Sequence, residues 1–228
     1  MNNILKLAFL FLAVTALVTS CKNKPEGDAA GIGEAGEVSA ISGDQYTTDA
    51  SMAKIMWEGS KPGGKHNGTI NISEGNLYVT DGMVSGGSFT IDMNSINVTD
   101  LEGEYKTNLE AHLKGTAEEG KTDFFNVTEY PTAKFEITKV TALADDSNTN
   151  ALVYGNLTLM DVTKEVSFKA TISISEAVVV VNTPQFTINR TDWGIKYGSK
   201  SFFDNLKDKF IEDNIGLAIS LEAKKPAM

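Results

Sequence analysis

Val166, Phe168, Ala170, Ile172 and Ile174 alternate with Ser167, Lys169, Thr171 and Ser173. Side chains on an extended strand point to opposite faces in turn, so this run has one apolar face and one polar face. A lone strand cannot bury such a face; it needs neighbours of the same kind. The same period recurs along most of the chain. It is seen at Ile55 and Trp57, at Ile70 and Ile72, at Leu77 and Val79, and at Phe89, Ile91 and Met93. It returns at Phe135 and Ile137, Leu157 and Leu159, Phe186 and Ile188, and from Ile215 through Leu217 and Ile219 to Leu221. Val178 to Val181 is a continuous β-branched run, which reads as a strand covered on both faces or partly covered. Turn signals separate the runs: Gly59 to Gly64, Glu74-Gly75-Asn76 as the tip of a hairpin within His66 to Val79, Asp81-Gly82, and the polar loop 145–150. The pattern predicts an all-β chain of about eight antiparallel strands.

One stretch breaks the period. Tyr105, Leu109 and Leu113, with His112 beside them, share one face of a helix. Gly115 and Gly120 follow, then the apolar knob Asp123-Phe124-Phe125, and Tyr130-Pro131 stops any helix. Eight strands with one apolar face each suit a sandwich or a barrel. A helical insert near residues 101–126 favours the barrel, whose closure removes exposed strand edges.

The first 20 residues have the layout of a signal peptide: Lys6, then an apolar run from Leu7 to Val18, too short for the roughly 20 residues a bilayer span needs. Val18-Thr19-Ser20-Cys21 resembles a bacterial lipobox, which makes Cys21 the expected lipidation site. An ordinary secreted protein with a chance cysteine is the alternative. Cys21 is the only cysteine, so no intrachain disulfide forms. Residues 21–45 are rich in Gly, Ala, Glu, Asp and Ser and read as a flexible tether. Surface-export signals place acidic residues directly after the cysteine. Lys22-Asn23-Lys24 stands here instead and favours a membrane anchor facing the periplasm.

Residues 46–224 suffice for one domain with a substantial core. Net charge is −10, or −11 once Lys6 leaves with the signal. With Arg190 as the one arginine and no lysine run, nucleic acid is excluded as a partner. His66 and His112 are the only histidines, and no spacing points to a metal site. No nucleophile motif or phosphate loop is present, so no catalytic residue, enzyme activity or cofactor is expected.

The candidate interior is Trp57, Phe89, Ile91, Phe135, Ile137, Leu159, Phe168, Ile172, Phe186, Ile188, Leu217 and Ile219. At the mouth stand His112, Arg190 and Trp193. Arg190 is placed to meet an anionic or carbonyl head; in the alternative it pairs with Asp192 to fix a turn, and Trp193 caps the barrel. Phe202 and Phe203 either line an entrance or plug the core.

Several segments resemble one family. They are His112-Leu113-Lys114, Asp123 to Val127, Tyr130 to Phe135, Gly155 to Leu159 with Val162-Thr163-Lys164, and Asn189 to Gly194. Trp57-Glu58-Gly59 with His66-Asn67-Gly68 is similar to the opening hairpin of lipoprotein members. Together they are similar to the YceI-like, polyisoprenoid-binding, lipocalin-like proteins. Two features depart from the pattern: a longer link from Gly115 to Thr122, and Asp161 where members often carry Gly. The resemblance implies an eight-stranded antiparallel lipocalin-like barrel. Inside it would lie a long apolar ligand: a polyisoprenoid, an isoprenoid quinone or a fatty-acid-like lipid. Its expected role is sequestration or transport in the bacterial envelope, with the membrane reached through the lipid anchor. Two rivals stand beside this reading. One is a small envelope enzyme acting on a lipid. The other is a structural barrel filled by Phe89, Phe135, Phe168 and Phe186. The oligomeric state stays open, a homodimer among the options.

Overall fold

The computed structural model describes residues 24–38, 41–117, 123–146 and 149–226. The expected signal segment and the expected lipidation site at Cys21 lie outside the described residues. In chain order the strands are β1 (Asp28–Ala29), β2 (Gly31–Glu34), β3 (Asp44–Thr48), β4 (Lys54–Lys61), β5 (Gly64–Thr80) and β6 (Met83–Val98). Helix α1 (Gly103–Lys114) follows. Then come β7 (Thr132–Asp146), β8 (Thr149–Leu159), β9 (Val162–Ile174), β10 (Val178–Asn182), β11 (Phe186–Asn189) and β12 (Asn214–Lys224).

Eight strands close a ring. From β4 each pairs antiparallel with the next through β5, β6, β7, β8, β9 and β10 to β12, and β12 pairs back onto β4. The predicted eight-stranded barrel is this ring. Four further strands complete its wall, which gives twelve among the described residues. β3 pairs with β5 and β12, so β3 and β4 act as one wall strand broken at Asp49 to Ala53. β11 continues the line of β10 along β12. The wall follows the alternation: Phe89, Ile91 and Met93 of β6 are buried, and the residues between them are not.

Two expectations change here. Glu74-Gly75-Asn76 is no turn, because β5 runs unbroken through it. Gly75 faces Phe89 across the β5–β6 pair, and a Cβ at Gly75 would collide with the Phe89 ring. The glycine therefore serves close packing, and the register shifts between Ile72 and Glu74 beside it. Part of the expected tether is also built into the wall. β1 runs parallel to β11, β2 runs antiparallel to β9, and the segment fills the seam between them. Small side chains made this stretch look unfoldable, but sheet pairing uses backbone groups, which composition does not report. Gln185 Nε2 donates to the Glu26 carbonyl at 2.8 Å, Lys164 meets Glu34 at 2.8 Å, and Ala30 packs on the core.

α1 lies over one end of the ring. Glu110 Oε1 accepts from the Val98 N–H at 2.8 Å, and Lys106 Nζ donates to Asn97 Oδ1 at 2.8 Å. Gly115 ends the helix at φ 69°, a left-handed value that suits glycine, and its N–H donates to the carbonyls of Ala111 and His112. Tyr105 was expected on the packed face with Leu109 and Leu113, yet it is 79% exposed. Leu109, His112 and Leu113, in its last two turns, are the helix residues that line the barrel's larger cavity.

Candidate functional site: an apolar cavity with a polar mouth

Among the described residues, a small cavity and a larger one lie within the ring. The deeper one holds about 90 Å³, and every residue lining it is apolar. The larger one holds about 390 Å³ and reaches the end covered by α1. Ile55, Ile91, Leu157, Ile188 and Leu217 line both, so the two meet at mid-barrel. The larger cavity falls in the size range of small-molecule sites. A purely apolar cavity as small as the deeper one stays dry.

Of the twelve predicted interior residues, ten line the deeper cavity: Phe89, Ile91, Phe135, Ile137, Phe168, Ile172, Phe186, Ile188, Leu217 and Ile219. Trp57 and Leu159 line the larger one. The four phenylalanines explain the difference in size. Phe135 and Phe168 lie 5.7 Å apart, and Phe168 stacks on Phe186 at 4.6 Å. Their rings fill much of the deep end and leave the helical end open.

The predicted mouth residues divide. His112 does line the larger cavity. Its ring stands edge-on to Phe124 at 5.1 Å and to Tyr197 at 4.8 Å, and its Nδ1 is 3.7 Å from Asp123. Arg190 also lines the larger cavity, and the chain itself takes up much of its hydrogen bonding. It is 2% exposed and donates to three carbonyls: Nε to Glu212 at 3.2 Å, Nη1 to Ile195 at 2.9 Å and Nη2 to Ile211 at 3.2 Å. Burial pushes the guanidinium below its ordinary value, and the nearby Asp213 pushes it back up. Its ionic partner is therefore Asp213, at 3.5 Å, and not the expected Asp192. Trp193 lines neither cavity; it is 1% exposed, and its Nε1 donates to the Leu157 carbonyl at 3.0 Å. Arg190 and Trp193 thus pin the loop between β11 and β12 onto the barrel. Phe202 and Phe203, each 49% exposed, line neither cavity and do not plug the core.

Sequence reasoning missed the rest of the mouth. Ser60, Lys61, His66, Tyr197 and Lys209 line the larger cavity with Phe124 and Phe125. His66 Nδ1 lies 2.9 Å from Asp100 Oδ2. Burial works to raise the Asp100 pKa, but the Asn67 N–H and His66 together hold it below its ordinary value. Ser60 was hidden in what read as a turn; β4 extends through Lys61 and carries it into the wall.

Residues 46–223 match the family model of the YceI-like domain. The fold is similar to the crystal structure of Burkholderia cenocepacia BcnA. There the TM-score is 0.57 at 16% identity, over 77% of this chain and 99% of that one. It is also similar to a polyisoprenoid binding domain from Saccharophagus degradans implicated in plant cell wall breakdown. The TM-score is 0.54 at 14% identity, over 79% of this chain and 98% of that one. At these identities the likeness is one of fold. No curated protein matches the chain. β1 and β2 lie outside the matched residues.

Proposed function

Because the chain belongs to the YceI-like domain family, we propose that it binds one long apolar ligand inside its barrel. The ligand class is a polyisoprenoid, an isoprenoid quinone or a fatty-acid-like lipid. The observation that carries this reading is the pair of cavities meeting at Ile55, Ile91, Leu157, Ile188 and Leu217. Binding is by burial: each methylene removed from water contributes about 0.8 kcal/mol, so a long chain needs few polar contacts. The chain acts as a binder, without turnover. Lipidation at Cys21 would hold it on a membrane of the bacterial envelope, facing the periplasm, for sequestration or transport.

Mass spectrometry of organic extracts from purified protein tests the binding. One long-chain lipid at near-equal molar ratio is expected; a clean extract from protein purified out of its native envelope would sink the reading. For the anchor, Cys21→Ala should release the protein from membranes. Retention of that variant on membranes after a high-salt wash would remove the lipoprotein assignment and leave the barrel reading intact.

A further inference from the structure

Phe202 and Phe203 are each 49% exposed, and they are the only exposed phenylalanines among the described residues. Tyr197, on the same connection between β11 and β12, is 41% exposed. Exposed apolar side chains scattered singly need no cause, but this connection concentrates them. The rings are held out by a built scaffold. The Phe202 and Phe203 N–H groups donate to the Ser199 carbonyl at 3.2 and 3.0 Å, and the Ile211 N–H donates to the Gly198 carbonyl at 2.8 Å. The Glu212 N–H donates to the Ser60 carbonyl of β4 at 2.9 Å and ties the connection to the barrel wall.

Cations accompany the rings. Lys196, Lys200, Lys207 and Lys209 are all exposed. Lys196 Nζ stands 4.7 Å from the centre of the Phe202 ring, and Lys200 Nζ stands 4.3 Å from that of Phe210. Asp204 and Asp208 are the exposed acids of this stretch; Glu212 and Asp213, next to it, are partly buried and lie 3.7 Å from Lys200 and 3.5 Å from Arg190. A chain of net charge −10 is repelled by an anionic surface, so it can approach one only where its cations gather. Aromatic rings suit the level of lipid head groups, and lysines lay their stems on apolar surface while the ammonium reaches phosphate. An acidic protein would also attract the lysines. The place of the loop favours a bilayer, because Ile195, Tyr197, Lys209 and Ile211 line the larger cavity. A bilayer touching this loop lies against the wall of the cavity that receives its lipid. The helical side of the mouth has the opposite charge: α1 begins beside the exposed Glu102 and Glu104, next to the exposed Tyr105.

We propose that the connection 195–211 docks the mouth of the barrel on a bilayer containing anionic lipid, and that the ligand is taken up on this side. The docking surface deepens the apolar-ligand reading above and rests on it. Phe202 and Phe203 enter the head-group layer, and Lys196 and Lys207 meet its phosphates. The helical side stays off the surface, so the barrel docks tilted.

The test uses the chain begun at Lys22, so that neither the expected signal segment nor Cys21 lends membrane affinity. Vesicles are phosphatidylcholine alone or phosphatidylcholine mixed with phosphatidylglycerol. Sedimentation with the mixed vesicles should be about tenfold stronger than with the neutral ones and should weaken as salt rises. In Phe203→Trp the emission should move to the blue on mixed vesicles, beyond any shift of the parent. The pair Phe202→Ser and Phe203→Ser should weaken sedimentation about tenfold, and the pair Lys196→Glu and Lys207→Glu should remove the preference for phosphatidylglycerol. Tyr105→Ser should change neither. All of these variants should melt with the parent, because each altered side chain is exposed. Uptake of a conjugated-polyene fatty acid from mixed vesicles should slow severalfold in both paired variants, while affinity for the same fatty acid added from solution stays at the parent value. A parent that binds the fatty acid but sediments with neither vesicle would overturn the bilayer as occupant and leave the loop to an acidic protein partner. Equal weakening by Tyr105→Ser and the phenylalanine pair would overturn the loop as the docking face. In both cases the apolar barrel stands. A parent that binds no fatty acid from either source would overturn the apolar-ligand reading and the docking proposal with it.

Discussion

Asn156 and Gly36, 120 residues apart in sequence, bond to each other in both directions: the Gly36 N–H donates to Asn156 Oδ1 at 2.8 Å, and Asn156 Nδ2 donates to the Gly36 carbonyl at 2.7 Å. The carboxamide behaves as one more backbone unit of β8 and extends the pairing that β2 makes with β9. Asn156→Ala should therefore cost about 1–3 kcal/mol, the range for losing hydrogen bonds to a buried polar group. Hydrogen exchange at residues 31–36 should quicken more than exchange elsewhere. Unchanged exchange there would mean that the N-terminal segment holds its place without this clamp.

Arg190→Lys tests the loop between β11 and β12. A lysine ammonium cannot match the planar fork that reaches Ile195, Ile211 and Glu212. Removing this buried group's bonds should cost about 3–5 kcal/mol in a urea melt. In a Trp57→Phe background Trp193 is the only tryptophan, and its emission should shift to the red as the loop loosens. A melt within about 1 kcal/mol of the parent would remove Arg190 from its clamping role.

Ile172 lines the deeper cavity, while Ser173 points to the opposite face of β9. Ile172→Trp should block the deep end and weaken binding of a polyene fatty acid roughly tenfold, which is about 1.4 kcal/mol. Its stability cost should stay within the usual 1–3 kcal/mol or so of overpacking, because the bulk enters existing space. Ser173→Ala should leave binding unchanged. Parent-like binding by Ile172→Trp together with a large stability loss would mean that no ligand tail reaches this depth.

Asp49 sits where the wall strand made by β3 and β4 breaks. It accepts from Lys224 Nζ at 2.8 Å and from the Ser51 hydroxyl at 2.6 Å, and these bonds hold its pKa down to about 2. A depressed carboxylate stabilises the folded chain fully above its unfolded value near 4, and that stability is lost as pH falls toward 2. Thermal melts from pH 5 to pH 2 should show the parent losing more stability than Asp49→Asn. Parallel curves would mean that this exposed pair contributes nothing measurable, as many surface pairs do.

Much of the barrel was legible without coordinates. The period of two at Phe89, Ile91 and Met93, and again from Val166 to Ile174, settles which face of each strand is buried, because the pleat alternates regardless of partner. All twelve interior residues read from that period border one of the two cavities for the same reason. The family resemblance was legible too, since it lies in short motifs.

Other features belonged to the tertiary structure. The segment 28–34 carries almost no apolar signal, and only the open seam between β9 and β11 gives its backbone groups partners. Gly75 looked like a turn because glycine is common in turns; its cause is the Phe89 ring on the neighbouring strand. Arg190 is next to Asp192 in sequence, but its partners come from residues 195–213, which the loop folds back over it. The unpaired state of Trp57 Nε1 and Ser60 Oγ is likewise a fact of distance alone. Alternation along a strand is local and is written in residue order. Seam closure, ion pairing and hydrogen-bond satisfaction depend on which distant groups arrive within about 3 Å, and that is decided only when the ring closes.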